Sequence, residues 1–188
     1  MTELLGVAGL QCSGKDTVAG ILRDFHGFES VTSIDVIRDH IKHNEMGEPT
    51  RPLLAAVARR LRAKDASAII RASLQRCETD RIIVSGLYSM KEAEYFVGEV
   101  GGRIIKCDAG QRIRYERALS RGRVGDDVDF ATFRSWESGE SLSATDSNQS
   151  IIKVGRLAVA TILNEGTYEE LRTNVEATLI DLEIKPYV

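Results

Sequence analysis

Gly9-Leu10-Gln11-Cys12-Ser13-Gly14-Lys15-Asp16-Thr17 is the stretch that decides the fold. It follows an apolar run, Leu4 to Ala8, that reads as a buried strand. It precedes Val18 to Phe25, where Val18, Ile21, Leu22 and Phe25 fall at helical spacing. A strand, a glycine-bearing loop ending in Gly-Lys, and a helix make a phosphate cradle. Backbone N–H groups converge on the anion, the helix dipole assists, and Lys15 adds a full positive charge. The spacing from Gly9 to Gly14-Lys15 fits the P-loop pattern, with Asp16 where Ser or Thr usually stands. Thr17, one residue on, is then the candidate hydroxyl for Mg²⁺. An ordinary glycine-rich turn is the plainer alternative, disfavoured by the flanking strand and helix. The motif predicts triphosphate binding and leaves open what is done with the triphosphate.

Beyond the first helix, Phe28 to Ile34 alternates as a second strand, placing Asp35 at a strand's carboxyl end before Ile37, Arg38 and Ile41. In an open α/β sheet that edge faces the ligand crevice. A carboxylate there orients or deprotonates an acceptor, or caps the next helix. Met46 to Pro52 is turn-rich, and Leu53 to Cys77 is strongly helical, which predicts a substrate-binding arm or lid. Arg81-Ile82-Ile83-Val84-Ser85-Gly86 is the clearest β-branched strand. It ends on Ser85, where P-loop enzymes often carry the Asp of the Mg²⁺ shell. Ser89 and Glu92 read as a capping box, Arg103 to Cys107 as a strand, and Arg156 to Leu163 as the last strand. Thr167 and Glu170 read as a second capping box.

The segment from Asp108 to Glu140 is rich in arginine, with Arg114, Arg117 and Arg121 at intervals of three and four on one helix face. Gly122 and Gly125 flank Arg123 as a hinge, and Ser138 to Ser150 reads as a polar loop. Guanidinium groups brought over a triphosphate stabilise charge on the moving phosphoryl group. A surface helix bridged to Glu116 and Asp126 is the alternative.

The 188 residues suit one domain, 43% hydrophobic and 28% charged, with a net charge of −3. That charge gives no bulk reason to expect nucleic-acid or anionic-membrane binding. No stretch approaches the ~20 apolar residues of a membrane span, and no basic leader precedes the first strand. Cys12, Cys77 and Cys107 lack metal-ligand spacing, so a reduced, cytoplasmic setting is expected.

In combination these motifs carry a resemblance. The chain resembles P-loop nucleotide and nucleoside kinases, especially archaeal dephospho-CoA-kinase-like proteins, from about Leu4 to Ile180. The similarity rests on Gly9 to Thr17, with its Gly-Lys-X-Thr form, and on Ile34-Asp35-Val36-Ile37-Arg38. It also rests on Val84 to Ser89, Arg114 to Arg117, Arg121-Gly122-Arg123 and Asn164-Glu165-Gly166-Thr167. It implies a three-layer α/β fold with a five-stranded, mostly parallel sheet and helical insertions for substrate binding (about 36–80) and a lid (about 108–150).

By that resemblance Gly9, Gln11, Cys12, Ser13, Gly14, Lys15, Asp16 and Thr17 would bind ATP phosphates, with Thr17 toward Mg²⁺. Asn164 and Gly166 would flank the adenine through backbone groups. Asp35 and Arg38 would hold the acceptor, and Lys15, Asp35, Arg117, Arg121 and Arg123 would serve phosphoryl transfer to a small metabolite. The chain departs from the family at Ser85-Gly86-Leu87-Tyr88, where Asp-Gly-Ile-Arg is usual, and at Ser135 to Gly139, where arginines are usual. The loss of an acid at Ser85 keeps a slow NTPase, or a nucleotide sensor acting through a protein partner, as the alternatives.

Overall fold

The first strand is β1 (Glu3–Ala8), in which Leu5, Val7 and Ala8 are buried. Burial on both faces is what a central parallel strand requires. A computed structural model describes residues 2–123, 126–134 and 151–187. In it β1 lies between β3 (Arg81–Ser85) and β4 (Arg103–Asp108), with β2 (Glu29–Thr32) and β5 (Ala158–Leu163) outside them. All four ladders are parallel, in the order β2-β3-β1-β4-β5. Every strand therefore ends at the same edge, so residues following Ala8, Thr32, Ser85, Asp108 and Leu163 converge there.

Helices cover both faces. The helix α1 (Lys15–His26) places Val18, Ile21 and Leu22 in a cluster with Leu5, Val7, Ile83 and Ile105. The last helix, α8 (Tyr168–Asp181), adds Leu171, Val175 and Leu179 to that cluster. On the other face Ile82, Val84 and Ile104 pack with Leu87, Ala93, Phe96 and Val154. Each fully buried Leu, Ile or Phe contributes on the order of 1.5–3 kcal/mol. Between β2 and β3 come α2 (Ser33–His43), α3 (Arg51–Lys64) and α4 (Ala68–Leu74). These helices share a small core of Ile37, Ile41, Val57, Ala58 and Ile69. After β3, α5 (Met90–Glu94) runs on as a π-helical turn, Tyr95–Glu99. α6 (Gln111–Arg121) follows β4, and α7 (Ile151–Gly155) precedes β5.

Three boundaries differ from the sequence expectation. β2 stops at Thr32, and Asp35 lies in the first turn of α2 rather than at the strand end. The reason is local: the Thr32 hydroxyl accepts from the Asp35 amide at 3.2 Å and donates to its carboxylate at 2.6 Å. That pairing starts the helix two residues early. β5 begins at Ala158 rather than Arg156, after the turn that ends α7. Ser89 caps α5 by accepting from the Glu92 amide, but the Glu92 side chain turns inward instead of closing the box. The expectations for Gly125, residues 135–139 and the 138–150 loop lie outside the described residues.

Candidate active site

The loop from Gly9 to Lys15 leaves β1 at the carboxyl edge and enters α1 directly. Gly14 takes φ 98° as the residue capping α1, and a Cβ there would run into the Asn164 amide. At Gly9 a Cβ would stand 2.5 Å from the Cys107 carbonyl oxygen and from Ser13 Oγ. Both positions thus need glycine for close backbone approach. Gln11 and Cys12 form the intervening turn, with Cys12 in the left-handed region at φ 60°.

The Ser13 carbonyl oxygen accepts from Cys107 Sγ at 3.1 Å and from Asn164 Nδ2 at 2.8 Å, pinning the loop to β4 and to the turn after β5. Burial pushes the Cys107 thiol up to about 11, so at neutral pH it stays protonated and remains a donor. Ser13 Oγ is fully buried and has no hydrogen-bond partner.

Asn164 is the hinge of the opposite wall. Its amide oxygen accepts from Arg117 Nη2 at 3.3 Å, and its backbone N–H donates to the Asp108 carbonyl at 2.8 Å. Glu165 Oε1 accepts from the Gly110 amide at 2.9 Å, holding the turn against the start of α6. Arg117 Nη1 is buried and unpartnered. Arg117 and Asn164 line a groove with Gly14, Thr17, Gly166 and Tyr168. The sequence reading did not single out Tyr168. Its signal was an aromatic residue one step past the Asn-Glu-Gly-Thr turn.

On the other side of Lys15 the neighbours change. Ser85, at the end of β3 and 5% exposed, donates its hydroxyl to Asp16 Oδ1 at 3.3 Å. Tyr88 is close by, and its phenol is pushed up mainly by burial, with the Asp16 carboxylate adding to the effect. Glu92 accepts from the Tyr88 amide at 3.3 Å and from Arg62 Nε at 2.9 Å. The Arg62–Glu92 pair is buried, at 8% and 1% side-chain exposure, and joins α3 to α5. Ser33 donates to the Gly86 carbonyl at 2.8 Å, tying α2 to the same edge.

Asp35 and Arg38 stand together at the start of α2, 3.7 Å apart and each more than half exposed. At the far end of α6, Arg121 donates through two nitrogens to Asp126, whose carboxylate also accepts from the Arg123 amide at 3.2 Å. Arg114, Arg117 and Arg121 do occupy the inner face of α6, but to different ends. Arg114 bonds the Ala109 carbonyl, Arg117 reaches Asn164, and Arg121 is held by Asp126. The structure therefore gathers Gly9, Ser13, Gly14, Asn164 and Arg117 into one connected cluster, with Thr17 and Gly166 on its groove. Among the described residues, no hydrogen bond or ion pair joins Asp35, Arg38, Arg121 or Arg123 to residues 9–17. No cluster of three metal-ligating side chains occurs among the described residues. No helix among them is long and apolar enough to cross a membrane.

The cluster fits a phosphate-bearing ligand. A buried hydroxyl and a buried guanidinium nitrogen without partners cost free energy that an anionic oxygen would offset. Mg²⁺ that remains partly hydrated needs only one or two protein oxygens beside phosphate, and Asp16, Thr17 and Ser85 provide candidates.

Comparison with known proteins agrees with the architecture. No family model matches the chain. A UPF0200 protein from Aeropyrum pernix is 31% identical over 172 residues, covering 89% of this chain and 87% of that protein. Another, from Sulfurisphaera tokodaii, is 28% identical over 186 residues, covering 95% and 97%. Among solved structures, TT1252 from Thermus thermophilus superposes with TM-score 0.62 at 19% identity, covering 96% of this chain and 98% of that one. Shikimate kinase from Acinetobacter baumannii gives TM-score 0.62 at 14% identity, covering 98% and 97%. The structural similarities establish the P-loop kinase fold.

Proposed function

This chain belongs to the UPF0200 family, and we propose that it transfers a phosphoryl group from ATP to a small metabolite of the nucleotide or dephospho-CoA class. The observation that carries this reading is the P-loop clamp. Ser13 Oγ and Arg117 Nη1 are buried and unpartnered, and Asn164 ties the two residues together across the loop. Lys15 and the loop amides hold the outer phosphates, and Arg117 reaches the same anion from α6. Phosphoryl transfer asks chiefly for such positioning and charge stabilisation, so no covalent nucleophile is needed.

Thr17, Gly166 and Tyr168 form the groove for the nucleoside, with Tyr168 giving an apolar face for the base. The α2–α4 unit, about 36–80, is the acceptor side, where Asp35 orients the acceptor hydroxyl and Arg38 binds its phosphate. The region about 108–150 acts as the lid, releasing Arg121 and Arg123 toward the phosphates as it closes and excluding water. Mg²⁺, bound with the nucleotide, would neutralise phosphate charge during transfer; Asp16 and Thr17 are the side chains next to Lys15 that fit it.

The test is ATP consumption against a panel of nucleoside monophosphates, nucleosides and dephospho-CoA. One acceptor is expected to stimulate turnover. Lys15→Ala is expected to lower it by about 10²-fold or more, the loss typical of removing a charge-stabilising donor. Asp35→Asn is expected to reduce turnover at least about tenfold, within the range of general acid–base contributions. Undiminished transfer by Asp35→Asn would leave that carboxylate as Thr32's partner at the helix start. Free phosphate at the same rate with every acceptor would make the protein a hydrolase.

A further inference from the structure

The two residues flanking the phosphate site on its β3 side have exchanged chemistry. The P-loop pattern has a hydroxyl directly after the lysine, and P-loop enzymes often carry an aspartate at the end of the neighbouring strand. Here the aspartate follows the lysine, as Asp16, and the hydroxyl ends the strand, as Ser85. The exchange keeps the pair in contact: Ser85 Oγ donates to Asp16 Oδ1 at 3.3 Å. Ser85 is held in register beside Val7 of β1 and Thr32 of β2, so its hydroxyl is fixed at the sheet edge. Asp16, in the first turn of α1, is exposed.

Thr17 lines the groove with Arg117, Asn164 and Gly166. Of the two oxygen-bearing side chains after Lys15, Asp16 is the one hydrogen-bonded to the end of β3 among the described residues.

We propose that Asp16 is the carboxylate that holds the divalent cation of a bound nucleotide, with Ser85 as its hydroxyl partner. The inventory of one carboxylate and one hydroxyl is thereby conserved with the positions swapped. This rests on the reading that the P-loop binds a nucleoside triphosphate. The swap has a physical consequence. A carboxylate in the first turn of α1 competes for the positive helix end that phosphates also seek, and it repels them at short range. A cation between the two negative groups turns repulsion into attraction. Nucleotide binding should therefore depend on Mg²⁺ more through Asp16 than through any other side chain of the loop.

The experiment is calorimetric titration of ATP into the full chain, in Mg²⁺ and in EDTA, at fixed ionic strength. Wild type is expected to bind at least about tenfold tighter with Mg²⁺. Asp16→Ser should shrink that ratio to less than about threefold, chiefly by improving binding in EDTA. The double exchange Asp16→Ser/Ser85→Asp restores the ordinary arrangement and should recover the ratio, which also shows that the single variant's loss was not misfolding. Thr17→Ala should weaken binding in both buffers and preserve the ratio. An Asp16→Ser protein with the wild-type ratio, or a Thr17→Ala protein that alone loses it, overturns the assignment while leaving nucleotide binding intact. A wild-type ratio near one does the same. Absence of ATP binding in both buffers overturns the assignment together with the nucleotide-site reading.

Discussion

Cys12 sits in the loop between β1 and α1 at φ 60°, a conformation that costs an ordinary L residue roughly 1–2 kcal/mol. Glycine carries no such penalty, although it loses more backbone entropy on folding. Cys12→Gly is therefore expected to raise unfolding free energy by up to about 1 kcal/mol in chemical denaturation. A destabilised variant would mean that the thiol makes a compensating contact. The strand-loop-helix from Gly9 to Thr17 was legible because it is written in nine consecutive residues, and the close approaches at Gly9 and Gly14 require glycine there. Contacts across the chain were not. Ser85 reads as a missing acid until the fold brings it to Asp16, 69 residues away in sequence. Asn164 is expected to act through its backbone, yet its side chain secures Ser13 and Arg117.

Two helix starts show what local pattern can and cannot specify. Ser89-x-x-Glu92 and Thr167-x-x-Glu170 have the same signature, but only Thr167 and Glu170 form the reciprocal box. Exposure decides it: Glu170 is exposed and accepts from the Thr167 amide, whereas Glu92 is claimed by buried Arg62. Thr167→Ala is expected to cost about 1 kcal/mol by equilibrium denaturation.

Hydrogen bonds from the Thr167 backbone and hydroxyl hold the Glu170 carboxyl below its usual range. A depressed folded pKa means the contribution is present above the unfolded value and fades as pH falls through the folded one. The gap between wild type and Thr167→Ala should accordingly narrow below about pH 4. A gap that widens on acidification would contradict the cap.

At α5 the prediction is larger. Glu92→Gln leaves Arg62 buried without its counter-charge and is expected to cost about 3–5 kcal/mol. Replacing both with apolar residues of similar volume should recover most of that loss. A near-neutral Glu92→Gln in thermal or chemical unfolding would show that the α3–α5 tie is dispensable.

At the scale of the whole molecule, the strand count and the P-loop's place after the first strand followed from sequence pattern, while the three layers were what the kinase resemblance implied. Apolar runs of five or six residues alternating with helical stripes admit few arrangements. The polar β2 and the half-exposed β5 suit the edges, but the pattern does not say which inner strand each pairs with, so the order β2-β3-β1-β4-β5 did not follow from it. That order brings the carboxyl ends of β3, β1 and β4 together and lets Asn164 close over the loop. It creates one crevice from segments that are separate in sequence.

We propose that this crevice moves a phosphoryl group between two small molecules. The most direct measurement is the ratio of phosphorylated acceptor to ADP formed in one reaction, with both products quantified by mass spectrometry. Phosphoryl transfer predicts one phosphorylated acceptor for each ADP, with both products lost together in Lys15→Ala. ADP matched instead by free phosphate, whatever acceptor is supplied, would contradict it.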